Sequence, residues 1–357
     1  MAATSSGSLV THRADSGWLR RSVFGVAVLA ALSLVRLPAR GAEPAARPVG
    51  VVDLHVDLPY QLGYKGARFE QGIGQFPASE LARAGVIGVV LPLFVPARVS
   101  PTGPRLEDLE ASHQRVVEAI SRTLPYASPG CNGGPVGRVQ TFLAFEGAGP
   151  LAADPARLED WVARGLRSVG LVHTRNNVLA GSSGEPGPAG GLTEAGRALV
   201  KRAIELRAAV DVSHASDPAT REVLRLASAA NVPVLATHSN ARALTDHPRN
   251  LADRELRAIA KTRGVIGVNF HSRFLRKGRR ASIDDVVRHI RYLVRLVGVD
   301  HVGIGSDFEG DITAPQGLED VRAMPKLADA LIASGLSHDA VRRIFGLNAL
   351  RVLCPSR

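Results

Sequence analysis

The sequence predicts an α/β fold, a (β/α)8 barrel of the TIM type formed by a single domain. Eight short β-rich runs alternate with amphipathic helical stretches, the pattern of a parallel sheet wrapped by helices. They occupy about 310 residues, a usual span for one closed barrel. No Gly-rich phosphate turn follows an early strand, as an open doubly wound sheet would usually bring.

In chain order the expected strands are Val51–His55, Val86–Phe94, Thr141–Phe145, Ser168–His173, Ala209–His214, Pro233–His238, Gly264–Phe270 and His301–Asp307. Val, Ile, Leu and Ala supply most of their apolar positions, which suits a parallel sheet buried on both faces. The helical stretches between them include Leu106–Leu124, Ala156–Leu166, Thr193–Arg207 and Pro218–Ala230, then Ala252–Thr262, Ile283–Val297 and Leu318–Ser334. Ser216 before Asp217-Pro218 and Ser282 before Ile283-Asp284-Asp285 have the chemistry of N-caps. The Gly/Pro/Ser stretch Gly181–Gly191 and the segment Pro125–Gly137 read as loops.

The composition suits this architecture. Of 357 residues, 45% are apolar and only 4% aromatic, so core volume must come mainly from Val, Leu, Ala and Ile. The net charge of +11 invites a nucleic-acid reading. No Lys/Arg run is interleaved with aromatics, however, and the arginines are spread along the chain, so no nucleic-acid partner is expected.

The N-terminus reads as an export signal. Arg20 and Arg21 precede the apolar run Ser22–Val35, and the small residues Ala39, Gly41 and Ala42 follow at a plausible cleavage site. The run is short for a membrane span, which needs about 20 residues. An uncleaved N-terminal anchor, associating the chain with a membrane, is the alternative. Residues 1–42 are accordingly set apart from a barrel domain at 43–357, expected to be periplasmic or extracellular. Only two cysteines occur, Cys131 and Cys354. They are too few for a structural zinc site of four ligands, and sequence leaves open whether they pair.

The informative feature is what stands at the strand ends. Strand one runs into His55-Val56-Asp57, whose two outer side chains share a face if the strand period of two continues. Strand three leads to Glu146, strand four to His173, strand five to His214, strand six to His238 and strand eight to Asp307. Each alone is weak, since a single His or Glu at a strand end is usually turn or capping chemistry. Six strands delivering imidazoles and carboxylates to the same face of a barrel is a convergence expected of a metal site. His247, His271, His289, His301 and His338 fall outside that pattern and read as structural.

These residues carry a family resemblance. The chain resembles the membrane dipeptidase (renal-type) family of zinc peptidases through Asp53-Leu54-His55-Val56-Asp57-Leu58-Pro59-Tyr60, Phe145-Glu146-Gly147 and His173-Thr174-Arg175-Asn176-Asn177. The match continues through Gly191-Leu192-Thr193, Val210-Asp211-Val212-Ser213-His214, Thr237-His238-Ser239-Asn240 and His247-Pro248-Arg249-Asn250. It ends with Gly267-Val268-Asn269-Phe270, Gly303-Ile304-Gly305-Ser306-Asp307-Phe308 and Asn348-Ala349-Leu350-Arg351-Val352. The resemblance implies a barrel of the metal-dependent hydrolase kind, two Zn2+ per chain, a dipeptide substrate and a homodimer. It implies that His55 and Asp57 serve one zinc, with Asp307 nearby as a further ligand or a catalytic proton acceptor, that Glu146 bridges both, and that His214 and His238 bind the second. It further implies that His173 stabilises the oxyanion, that Arg249 binds the substrate carboxylate, and that Tyr60, where many relatives have Trp, lines the pocket. The family's Asp-Phe-Asp-Gly is here Asp307-Phe308-Glu309-Gly310.

The implied chemistry is coherent with the residue types. Two zinc ions about 3.5–4 Å apart can activate a water and polarise a carbonyl, with a carboxylate shuttling the proton. A planar Arg249 guanidinium suits a bidentate carboxylate contact. Other metal-dependent hydrolases, acting on cyclic amides, lactones or phosphoesters, share the barrel, but commonly open with His-x-His where this chain has His55-Val56-Asp57. A non-catalytic envelope binding protein is the remaining alternative, and the intact ligand set argues against it.

Overall fold

The computed structural model describes residues 50–355 apart from 68–73, 97–102, 124–127, 130, 132–137 and 186–189. The export-signal reading of residues 1–42 and most of the Pro125–Gly137 loop lie outside the described residues. No helix among the described residues is long and apolar enough to cross a membrane.

Eight parallel strands close a barrel: β1 (Val51–Asp53), β2 (Val86–Leu93), β3 (Gln140–Glu146), β4 (Leu166–Gly170), β5 (Ala209–Asp211), β6 (Val234–Ala236), β7 (Val265–Val268) and β8 (Val302–Ile304). Each pairs with its sequence neighbour. The ring closes where Asp53 of β1 meets Ile304 of β8. The (β/α)8 expectation holds.

Helices cover the outside, at Leu106–Thr123, Leu158–Ala163, Glu194–Glu205, Asp217–Ala229, Asp253–Lys261, Ile283–Val297 and Met324–Ala333. Their starts follow the caps read from sequence. The Ser216 hydroxyl accepts from Ala219 N–H, and Ser282 N–H donates to the Asp285 carboxylate at 3.0 Å. The stretch expected as one helix at Ala156–Leu166 is shorter, because Leu166 opens β4 instead.

Two apolar layers result. Val89, Leu91, Val169 and Val210 belong to the layer packed with the helices. Val52, Leu54, Val90, Phe142, Leu235 and Val265 form a second cluster together with Ala349, Val352 and Leu353 of the closing helix Asn348–Leu353. That helix is tied to the strand-start end of the barrel, where Asn348 Nδ2 donates to the carbonyls of Val299 and Val302 at 2.8 and 2.9 Å. Just beyond it, Cys354 is disulfide-bonded to Cys131, the pairing that sequence left open.

His289, read as structural, is a fully buried helix residue. Its Nδ1 accepts from Ala241 N–H at 3.4 Å, and its Nε2 lies 3.2 Å from the Leu275 carbonyl, so the fold requires the neutral ring. Burial pulls its pKa from 6.5 down to about 4. Between those values the unfolded chain binds a proton that the folded chain refuses. Its contribution is therefore complete above pH 6.5 and is lost as pH falls towards 4. Urea unfolding from pH 7 to 4 should show His289→Gln losing less stability than the wild type, by on the order of 3 kcal/mol. Parallel losses in the two proteins would remove His289 from the acid sensitivity.

Candidate active site

The strands stop two or three residues before most of the predicted ligands. β1 ends at Asp53, β4 at Gly170, β5 at Asp211, β6 at Ala236 and β8 at Ile304. Only Glu146 is itself the last residue of its strand. His55, His173, His214, His238 and Asp307 therefore stand on the turns that follow. Asp57 occupies the N-cap position of the short helix Leu58–Tyr64 and does not continue a strand alternation. Close backbone approach makes this possible at β8, where any Cβ on Gly305 would collide with the Thr237 carbonyl. Asp307 then takes a left-handed conformation, φ +65°, uncommon for a residue other than glycine.

The turns deliver the side chains to one point. Glu146 Oε1 lies 3.0 Å from His214 Nε2, 3.5 Å from His55 Nε2, 3.7 Å from His238 Nε2 and 3.9 Å from His173 Nε2. His55 Nε2 is also 3.6 Å from Asp57 Oδ2. Three compact ligand sets arise: His55, Asp57 and Glu146; Glu146, His214 and His238; and His55, His238 and Asp307. Glu146 belongs to the first two. Its carboxylate is thus positioned to serve both halves of the cluster.

The electrostatics are those of a cation site. Burial opposes ionisation of Glu146, but the imidazoles of His173, His55 and His214 outweigh it and hold the carboxyl well below its usual range. Burial also disfavours a charged His55, yet Glu146, Asp57 and Asp307 carry that ring up to about 10. His214 and His238 are driven the other way, by burial first and then by their cationic neighbours. His214 Nε2 lies 2.9 Å from His238 Nε2, 3.0 Å from Glu146 Oε1 and 3.2 Å from Arg249 Nη2. No single proton on that nitrogen satisfies an acceptor and a donor together. Both nitrogens of His55 and Nδ1 of His214 are buried without a hydrogen-bond partner. An unpartnered His55 Nε2 beside the shared Glu146 carboxylate fits bound zinc, whose ligands are His nitrogen and carboxylate oxygen.

The remaining predicted residues surround the cluster. His173 is 28% exposed at the side chain and packs at a tilt against His214, with ring centroids 4.5 Å apart. Phe94 also packs against His173 at 4.3 Å, and Tyr60 packs against Phe94 at 6.0 Å. Tyr60 therefore lies one ring removed from His173. Arg249 is buried, with Nη1 unpartnered and its guanidinium 5.5 Å over the Phe274 ring. Its backbone N–H donates to His247 Nδ1, so His247 orients the Arg249 loop. Glu309, the departure from the family motif, turns its carboxylate to the N–H groups of Gln75 and Phe76 at 2.6 and 2.8 Å. It holds that segment against the site.

Sequence reasoning gave no role to Asn269, whose amide donates to Asp307 Oδ2 at 2.9 Å. Phe94 and Phe274 also went unassigned. A hydroxyl residue precedes two of the site histidines, Ser213 before His214 and Thr237 before His238, but also His12, His113 and His338, so that pattern alone does not mark a supporting layer.

A family model described as "Membrane dipeptidase (Peptidase family M19)" matches residues 40–355. An uncharacterized protein in the pqqA 5′ region of Klebsiella pneumoniae is 42% identical over 218 residues, 58% of this chain and 79% of that protein. Dipeptidase verJ of Clonostachys rogersoniana is 34% identical over 221 residues, 61% of this chain but only 55% of the fungal protein. Among solved structures, an M19 metallopeptidase named dipeptidase AC is 31% identical with a TM-score of 0.76, covering 86% of this chain and 98% of its own. A Rhodobacter sphaeroides metallopeptidase, solved with a phosphinate mimic of the dipeptide L-Ala-D-Ala, is 30% identical with a TM-score of 0.76, covering 86% and 99%.

Proposed function

The chain belongs to the membrane dipeptidase family, peptidase family M19, and from that membership we propose that it hydrolyses dipeptides, L-Xaa-D-Xaa among them, at a site binding two zinc ions. The observation that carries this reading is Glu146 Oε1, within 3.9 Å of four imidazole nitrogens and common to two ligand sets. His55 and Asp57, with Asp307, would hold one zinc; His214 and His238 would hold the other; Glu146 would serve both. The Rhodobacter relative's L-Ala-D-Ala mimic supports including L,D-dipeptides.

Bound zinc supplies activated water, its pKa lowered from 15.7 towards about 7, and polarises a carbonyl. The protein's own groups do the rest. His173, exposed on one edge, donates to the carbonyl oxygen as negative charge develops there. Losing one such donor costs about 2.7–4 kcal/mol. The Asp307 carboxylate, held by the Asn269 amide at 2.9 Å, is the group placed to take a proton from water and return it to the leaving amine. Arg249 binds the substrate's C-terminal carboxylate, and the Tyr60–Phe94 pair walls the pocket beside His173.

We further propose that residues 1–42 direct export, as a cleaved signal or a retained anchor, and that the barrel works outside the cytoplasm as a homodimer. The basis is the Arg20-Arg21 pair before Ser22–Val35, together with the family resemblance.

The test is metal content and hydrolysis of L,L and L,D dipeptides on one sample, before and after chelation. About two zincs per chain, loss of cleavage on chelation and recovery on zinc addition are expected. Two zincs without cleavage would redirect the search to other amides, lactones or phosphoesters. A protein that binds no metal even after reconstitution overturns the reading.

A further inference from the structure

We propose that Asp211 and Thr237 act as a relay that fixes the tautomer of His238, leaving Nε2 bare towards the metal cluster. Counting protons along the chain of contacts leads there. The Asp211 carboxylate accepts from Ser213 N–H at 3.0 Å, Ser213 Oγ at 2.7 Å, Thr237 N–H at 3.0 Å and Thr237 Oγ1 at 2.6 Å. An ionised carboxylate has no proton to give, so the Thr237 hydroxyl proton, at 2.6 Å, goes to it, while Ser213 Oγ also lies 3.1 Å from Thr237 Oγ1. Thr237 Oγ1 then turns a lone pair towards His238 Nδ1, 2.8 Å away. That contact is attractive only if Nδ1 carries the ring's proton. Nε2 is left as an acceptor, facing Glu146 and His214.

The network is rigid enough to enforce the choice. Thr237 is fully buried, His238 and Ser213 are nearly so, and Asp211 is largely buried. The His238 backbone N–H donates to Ser213 Oγ at 3.0 Å, which fixes the ring's origin. Metal-binding histidines usually hand their second N–H to a carboxylate, a carbonyl or water. Here a threonine hydroxyl stands between. Asp211 and Thr237 are positioning residues, since they act through His238.

The purpose of the relay rests on the two-zinc reading, but its geometry does not, and the experiment separates them. Nitrogen-15 NMR of histidine-labelled, metal-free protein reads the His238 tautomer, with His238→Gln used only to assign the signal. Zinc affinity is read on the same proteins by competition with a chromophoric chelator. The wild type and Thr237→Ser should show protonated Nδ1. Thr237→Val should move the proton to Nε2 and weaken zinc binding by about 10–100-fold. Asp211→Asn can present an amide donor to Thr237, reverse the hydroxyl and give the same shift should the valine variant fail to fold. Thr237→Val with an unchanged tautomer overturns the relay, whether or not affinity falls. A wild type that binds no zinc defeats the proposed function, while a tautomer shift in Thr237→Val would still support the relay.

Discussion

Glu146→Gln is expected to lower kcat/KM by at least about 10³-fold and to reduce zinc from about two ions per chain to one or fewer. The carboxamide keeps the size and planarity of the glutamate but loses the negative charge. That charge is what the four surrounding imidazole nitrogens share at 3.0–3.9 Å. Metal ions supply several kcal/mol of transition-state stabilisation, and 4 kcal/mol corresponds to about 10³ in rate. Glu146 closes a strand paired on both sides by backbone hydrogen bonds, so the strand itself does not depend on the charge. Burial opposes ionisation, but the neighbouring imidazoles outweigh it, so the metal-free variant should fold yet melt somewhat lower than the metal-free wild type at neutral pH. Thermal unfolding after chelation, run beside metal analysis, separates a lost ligand from a lost fold. A variant that retains two zincs and a tenth of the activity would show that Glu146 is not shared between them.

The strand-end logic reached this site from sequence because the barrel amplifies weak signals. His214 and His238 are unremarkable alone, and only the inference of eight parallel strands puts them beside Glu146. The error in detail has a physical cause. The expected strands ran through their ligands, whereas the ladders stop at Asp53, Gly170, Asp211, Ala236 and Ile304. Beyond those points the turns take conformations a strand cannot, as at Asp307 with its positive φ. Apolar periodicity continues across such a boundary, so it cannot mark where pairing ends. The supporting layer was less legible still. Asp211 falls inside an expected strand, and its bond with Thr237, like that of Asn269 with Asp307, joins side chains from neighbouring strands. Cys131 and Cys354 are 223 residues apart, and no pattern in the chain decides between a pair and two thiols.

Arg249→Ala is expected to raise KM for dipeptides by about 10²-fold, with zinc content near that of the wild type and a smaller change in kcat. The side chain is buried and Nη1 has no partner. Burial opposes its charge and lowers the guanidinium's pKa, and Asp307, Glu146 and Asp211 offset this only in part. A buried guanidinium with free donors is costly unless an anion completes it, and a substrate carboxylate does so with two parallel bonds. Truncating one partner of a buried charge pair costs about 2–5 kcal/mol, which spans a factor of 10². The informative comparison is between a dipeptide and its C-terminal amide. Wild-type enzyme should prefer the free acid by about the same factor, because the amide leaves Arg249 uncompensated. Arg249→Ala should process the two nearly equally, since the group that distinguishes them is gone. The contact of Nη2 with His214 Nε2 at 3.2 Å offers a competing role, in which Arg249 merely holds the ligand. That role predicts loss of zinc and of kcat with the preference for the free acid intact. The acid-to-amide ratio in the variant therefore decides whether Arg249 reads the end of the substrate or only supports the metal.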